Sequence, residues 1–225
     1  MIKISTNWQQ SHPGAALGVL TIRRIEAHGK SKSLEDKRTS LENQLCERYQ
    51  GMRRADLLQV PEIAAYATYY KRFKKTYHLL LQLESIVLKN KQIPKGVPLI
   101  QAMFMAELNS LLLTAGHDLD RLQGSIKLDS ASGEEVYTLL RGDEVTCKSG
   151  DMITSDSQGV FCSVIYGQDL RTRITNDTQN ILYVVYVPPG IKTEVIENHL
   201  LDLEQNVRLI TPRAETEFRN IYFAS

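Results

Sequence analysis

A chain of 225 residues, 42% apolar and 24% charged, is long enough to bury one sizeable core, and no run in it approaches the roughly 20 apolar residues of a spanning helix or the apolar stretch of a signal peptide. Its three cysteines, Cys46, Cys147 and Cys162, are odd in number and lack C-x-x-C spacing, which argues against a disulfide framework or zinc knuckle and for reduced, buried thiols in the cytoplasm. The formal net charge of +1 conceals an asymmetry, because residues 1–100 hold 17 Lys and Arg against 8 Asp and Glu while the remainder holds 10 against 18; either the first half offers a basic face to a polyanion, or the two halves pair across an internal interface.

In chain order, GAALGVLTIRRI after Pro13-Gly14 predicts a buried strand within 14–25. Apolar positions at Leu34, Leu41, Leu45, Met52 and Leu57 predict an amphipathic helix from Ser31 to Leu58, with Ser33 and Asp36 as its start signal. Pro61 opens two further helices bent near Tyr77, KNKQIPKGVP is a loop, and LIQAMFMAELNSLLL returns to helix as far as Ala115-Gly116. From Ser125 the pattern becomes short strands, namely SIKLDSA, EEVYTLL, DMITSD, GVFCSVIYG, TRITN and NILYVVYVP. Residues 191–225 supply a last helix and a tail that is peripheral from Thr211. One domain, helix-rich first and strand-rich second, is the expectation: α+β.

The histidines His12, His28, His78, His117 and His199 form no i, i+4 pair, and Asp118 with Asp120 has the spacing of turn and helix caps, so no metal site is expected. No P-loop, dinucleotide fingerprint or nucleophile elbow occurs, which leaves no cofactor implied. Tyr66, Tyr69 and Tyr70 lead into Lys71, Arg72, Phe73, Lys74, Lys75 and Tyr77. Such a cluster either holds a nucleic-acid backbone, with tyrosines stacking on unpaired bases, or places its aromatics in the core and its charges in solvent. A polar stretch between two apolar strands holds Tyr166, Gly167, Gln168, Asp169, Arg171, Thr172, Thr175, Asn176, Thr178 and Asn180; it suits a pocket that positions water or an ester, and equally a plain turn.

HDLDRLQGSIKLDSASGEEVYTLL at 117–140 resembles the D-L-D-K-[IL]-x-G-x-[IL]-x-L-R-x-A-x-x-G-E-x-[FY] segment of the editing module of the phenylalanyl-tRNA synthetase β subunit, the region of its B-three and B-four domains. D-x-x-G-V from Asp156 to Val160, then RTRITNDTQNIL at 171–182, is similar to that module's second signature; IVLKNKQIP at 86–94 resembles R-V-L-K-G-K-x-L-P of stand-alone members. The resemblance is strongest over residues 66–187. It implies a three-layer α+β domain with a β-sandwich core flanked by helices, and a free-standing form rather than a complete ligase.

The resemblance further implies a pocket that receives the aminoacylated 3′ end of tRNA, with hydrolysis of a wrongly attached amino acid in trans and no DNA or membrane partner. Asn109 stands where the family has an asparagine, and Thr178 and Asn180 match its T-x-N positions. Aligning the D-L-D motifs places Ala115 where the synthetase has histidine, with His117 two residues on. The expected assignments are Thr178, His117 and Asn109 for catalysis, and Tyr166, Gln168, Asp169, Thr175 and Asn176 for the substrate. Lys71, Arg72, Lys74, Lys75, Lys89 and Lys91 are assigned to RNA. A non-catalytic RNA-binding module and an amino-acid binder on the same fold are the alternatives, and the amino acid, the tRNA and the oligomeric state are left open.

Overall fold

The computed structural model describes residues 2–26 and 31–224; His28 lies outside them. The elements are β1 (Ile2–Ile4), α1 (Thr6–Ser11), β2 (Ala16–Arg23), α2 (Lys32–Arg48), α3 (Arg54–Leu57), α4 (Pro61–Lys71), α5 (His78–Val87), α6 (Pro98–Ser110) and β3 (Thr114–Asp118). After a 3-10 turn at Leu119–Arg121 follow β4 (Ile126–Ser130), β5 (Val136–Thr138), β6 (Glu144–Thr146), β7 (Met152–Asp156), β8 (Gly159–Ser163), β9 (Gly167–Gln168), β10 (Ile181–Val187), α7 (Thr193–Ile210) and β11 (Glu215–Phe223).

All seven residues of β10 are buried, so the strand needs cover on both faces. On one face the Tyr183 hydroxyl donates to the Leu99 carbonyl of α6 at 3.1 Å. On the other, the Tyr186 hydroxyl meets Thr154 Oγ1 of β7 at 2.5 Å. The result is an α+β architecture of three layers: helices including α6 and α7, a four-stranded antiparallel sheet ordered β11-β2-β10-β3, and a five-stranded sheet ordered β1-β4-β7-β8-β9. Gly18 and Gly116 let the helices close on the first sheet. A Cβ at Gly18 would meet Ile196 of α7 at 3.2 Å, and one at Gly116 would meet Ile174 at 2.6 Å and Met103 of α6 at 3.1 Å.

Several expected boundaries move, each for a visible reason. Ser31, not Ser33, caps α2 by accepting from the Leu34 amide at 3.2 Å, and the helix expected through Leu58 is interrupted where Gly51 takes a φ of 76°. Pro61 does open α4, and the bend near Tyr77 is a break at which Lys74 is left-handed. The helix expected to reach Ala115 ends at Ser110, because Leu111 adopts a φ of 62°. Glu107 Oε1 then accepts from the Thr114 amide at 2.7 Å, which turns the chain into β3. TRITN forms no strand, whereas the tail after Thr211 is not peripheral: β11 pairs with β2 from Glu215↔Arg23 to Phe223↔Ala16. Cys147 and Cys162 are buried as expected, but Cys46 is exposed on the outer side of α2.

One side chain closes the seam between β3 and β10. The Tyr66 hydroxyl donates to the Tyr186 carbonyl at 2.6 Å and accepts from the Leu113 amide at 2.9 Å, completing a rung that otherwise holds only the bond from the Tyr186 amide to the Leu113 carbonyl at 3.2 Å. Removing it strands a buried donor and a buried acceptor. Tyr66→Phe is therefore expected to cost about 2–4 kcal/mol in urea denaturation, and a loss below about 0.5 kcal/mol would show that the bridge is dispensable.

Candidate functional site

Beyond that bridge a cavity of about 530 Å³ opens between the two sheets. Ala115 and Tyr186 line it from the first sheet, and Cys162, Ser163 and Val164 from β8 and the turn after it. Its mouth is polar. Lys75 from the α4–α5 turn holds its Nζ 4.5 Å from the centre of the Tyr166 ring, a cation–π contact joining helix layer to second sheet. Gln168, Arg141 and His78 complete the rim.

The 163–166 wall hangs on one buried carboxylate. Asp151 accepts from Ser163 Oγ at 2.5 Å, from the Ile165 amide at 3.1 Å and from the Tyr69 hydroxyl at 2.6 Å. Tyr69 in turn accepts from the Met152 amide at 2.7 Å, and Ser163 Oγ from the Tyr166 amide at 3.2 Å. Burial pushes the Asp151 carboxyl up to about 6 despite these donors.

Of the sequence-predicted residues, the structure gathers Lys75, Tyr166 and Gln168 at the cavity. Lys71, Arg72, Lys74, Lys75, Lys89 and Lys91 are all exposed, and unlike Lys95, which pairs with Glu35 at 3.0 Å, none of them forms an ion pair among the described residues. They fall into two groups, at the two ends of α5, whose 10 residues span about 15 Å. Arg72 lies 5.4 Å over both the Tyr69 and Phe73 rings. The tyrosines are not stacking platforms: Tyr66, Tyr69, Tyr70 and Tyr77 are at most 4% exposed, and each hydroxyl is committed to an interior partner. Tyr70 donates to the Val164 carbonyl at 2.9 Å and Tyr77 to the Leu111 carbonyl at 3.1 Å.

Behind Ala115, two residues along the same face of β3 and about 7 Å deeper, lies His117. Thr172 donates its hydroxyl to Asp169, so its oxygen accepts from His117 Nδ1 at 2.7 Å. His117 Nε2 is then an acceptor, and it is buried with no partner among the described residues. The ring stands edge-on to Phe161 at 4.7 Å. Burial, with Arg171 nearby, pushes its pKa down to about 3, which keeps it neutral. Asp169 is also paired with Arg171 at 3.4 Å, which leaves neither oxygen free for a ligand.

Thr178, Thr175, Asn176 and Asn109 lie off the cavity lining. Thr178 donates to Asp118 Oδ2 at 2.9 Å and accepts from the Thr175 amide at 3.0 Å. Asp118 also caps the Asp120 amide at 3.1 Å, and Asn180 donates to Asp120 at 2.8 Å; this is a clasp on the 171–182 loop. Thr175 Oγ1 accepts from the Asp177 amide at 3.2 Å, and Asn176 is exposed. Asn109 donates to Asp202 at 3.1 Å and accepts from Arg48 at 3.1 Å, tying α6 to α7 and α2. The cavity adds His78, Arg141 and Ser163, which sit in helical, turn and strand patterns and carry no local signal of their own.

The profile of the B3/4 domain matches residues 64–200. A stretch of 69 residues is 35% identical to the phenylalanine–tRNA ligase β subunit of Mycoplasma pneumoniae, covering 31% of this chain and 9% of that one. Over 79 residues it is 34% identical to the β subunit of Fusobacterium nucleatum subsp. nucleatum, covering 33% and 10%. The match thus spans about a tenth of these relatives' length. Among solved structures, an N-terminal fragment of the phenylalanyl-tRNA synthetase β-subunit from Pyrococcus horikoshii superposes with a TM-score of 0.49 at 12% identity, over 98% of this chain and 53% of that one.

The buried titratable groups give the stability a pH signature. Burial holds His12 and His199 down to about 4 and His117 to about 3. Below the ordinary value of 6.5 the unfolded chain takes up protons that the native state refuses, so stability is lost as the pH falls. Asp151 and Glu107 are raised to about 6 and about 8; their contribution is present in acid and lost as the pH rises through those values. Unfolding free energy should therefore peak near neutrality. His117→Asn, which keeps a donor for Thr172, should lower the slope between about pH 4.5 and 6 by about 1.4 kcal/mol per pH unit, read from urea midpoints; an unchanged slope would show that His117 is charged in the native state.

Proposed function

The chain belongs to the B3/4 domain family, and from that premise we propose that it binds tRNA and hydrolyses a wrongly attached amino acid from the 3′ end in trans, using the cavity between its two sheets. The observation that carries this reading is the meeting of Lys75 with Tyr166 and Gln168 at one cavity mouth, beside the unpaired, exposed Lys71 and Lys74. Cations there hold the phosphate backbone, and the apolar walls beyond receive the esterified side chain.

The chemistry falls to water rather than to a protein nucleophile. Burial pushes the Cys162 thiol up to about 12, far from thiolate formation near neutrality, and the Ser163 hydroxyl is spent as a donor to Asp151. The Gln168 amide and the Tyr166 hydroxyl both line the mouth and have no hydrogen-bond partner among the described residues, so they are groups free to hydrogen-bond the ester or the amino-acid side chain. Asp169 and Thr172 hold His117, and Asp118 and Thr178 hold the loop that follows; these four act on the pocket through its walls.

The test is release of labelled amino acid from a panel of mischarged tRNAs, alongside tRNA binding at several salt concentrations. Release from at least one member is expected. Lys75→Ala should weaken tRNA binding and reduce its salt slope by about one ion, while Gln168→Ala should lower release about tenfold or more with affinity nearly unchanged. Salt-sensitive binding without release from any member would identify a binding module instead; no binding at all would end the tRNA reading.

A further inference from the structure

A hydrolysis that uses water requires a group to take its proton, and the cavity lining narrows the choice. Lys75 and Arg141 are cations, Cys162 and Tyr186 are held protonated by burial, Tyr166 offers a phenol rather than a basic nitrogen, and among the described residues no carboxylate reaches the lining. What remains is His78, the first residue of α5, whose ring is exposed at the mouth.

Its orientation follows from counting protons. His78 Nδ1 lies 3.3 Å from the Tyr70 hydroxyl, and that hydroxyl spends its own proton on the Val164 carbonyl at 2.9 Å. The phenol oxygen can then serve Nδ1 only as an acceptor. Nδ1 therefore carries the ring proton, and Nε2 keeps a lone pair. The Tyr77 ring stands edge-on to the imidazole at 5.6 Å, and Tyr70 is tilted against it at 6.2 Å, so two buried aromatics fix the ring from α4 and from the α4–α5 turn.

We propose that His78 is the general base of the hydrolysis, a role that rests on the deacylation reading given above. Nε2 takes a proton from water as the water oxygen bonds to the ester carbonyl carbon. The tetrahedral adduct then expels the ribose oxygen, which receives the proton back from the imidazolium. Free amino acid and the tRNA 3′ hydroxyl are the products, and the imidazole returns neutral. Tyr70 is the positioning residue that sets the tautomer, as a hydrogen-bonded partner does for a catalytic histidine in general. Tyr70 and Tyr77 pack against the ring, and Lys75 and Arg141 are the cations that line the same cavity. Although the ring reaches solvent, its packing against the two tyrosines desolvates it and lowers its pKa from the ordinary 6.5, which leaves it in the base form at neutral pH.

The experiment is single-turnover deacylation of the mischarged tRNA that the wild-type protein cleaves, between about pH 5 and 8, with wild type, His78→Ala and His78→Asn, the alanine variant also with added imidazole. The wild-type rate should rise through a pKa below the ordinary histidine value and level off. Both variants should fall about 100-fold or more, lose that acid limb and keep tRNA affinity within about twofold, and imidazole should restore part of the alanine variant's rate. Variants that retain the acid limb or most of the rate, or that lose rate without imidazole rescue, would overturn the role of His78 and leave the deacylase reading standing. A wild-type protein that cleaves no mischarged tRNA would overturn both.

Discussion

Ile181–Val187 is buried along its whole length, and a strand dry on both faces forces a layer onto each. Its two tyrosines solve the polar part of that demand in opposite directions, Tyr183 toward a carbonyl of α6 and Tyr186 toward Thr154 of the second sheet. Burial alone would permit many arrangements of the layers. The two hydroxyls restrict them, because a phenol left without a partner at that depth costs roughly 1–3 kcal/mol. The separation and register of the helical layer and the two sheets follow from where those partners stand.

The cavity is a by-product of the same constraint. β3 begins at Thr114, and in the rung before it the Tyr186 amide still donates to the Leu113 carbonyl at 3.2 Å while the Tyr66 hydroxyl stands in for the other half, between the Leu113 amide and the Tyr186 carbonyl. The cavity lies beside that rung, with Leu113, Thr114 and Tyr186 in its lining, and the turn after β8, held by Asp151, forms the opposite wall. Almost every polar group near the opening is already committed inward, which is why the uncommitted ones matter. Gln168, Lys75, the Tyr166 hydroxyl and the Nε2 of His78 are among the groups the cavity can present to a ligand.

Periodicity and turn chemistry made much of this legible from sequence. The apolar run ILYVVYV, Pro61 at a helix start, the loop around Pro94 and the last helix all appear where their local signals put them. The misses share a cause. The extended path after Ser110 depends on the left-handed Leu111 and on the Glu107 side chain reaching Thr114, and β11 owes its order to β2, some 200 residues earlier in the chain. Neither is a local property. For the site, the basic run was readable as exposed charge, but its tyrosines divide from its lysines only once the helix has a buried side. His78 was invisible because its significance is the Tyr70–Val164 hydrogen bond, which joins α4 to the turn after β8. Thr178 shows the converse: a motif position whose hydroxyl closes a turn on Asp118.

The most direct measurement is backbone hydrogen exchange with and without an unhydrolysable mimic of the acylated end, an adenosine carrying the amino acid on its 3′ position through an amide. Slowed exchange across 139–141 and 163–168, with 175–180, α7 and β11 unchanged, is the predicted result. Protection confined to 175–180 or to α7 and β11, with the cavity segments unaffected, would contradict the placement of the ligand between the sheets.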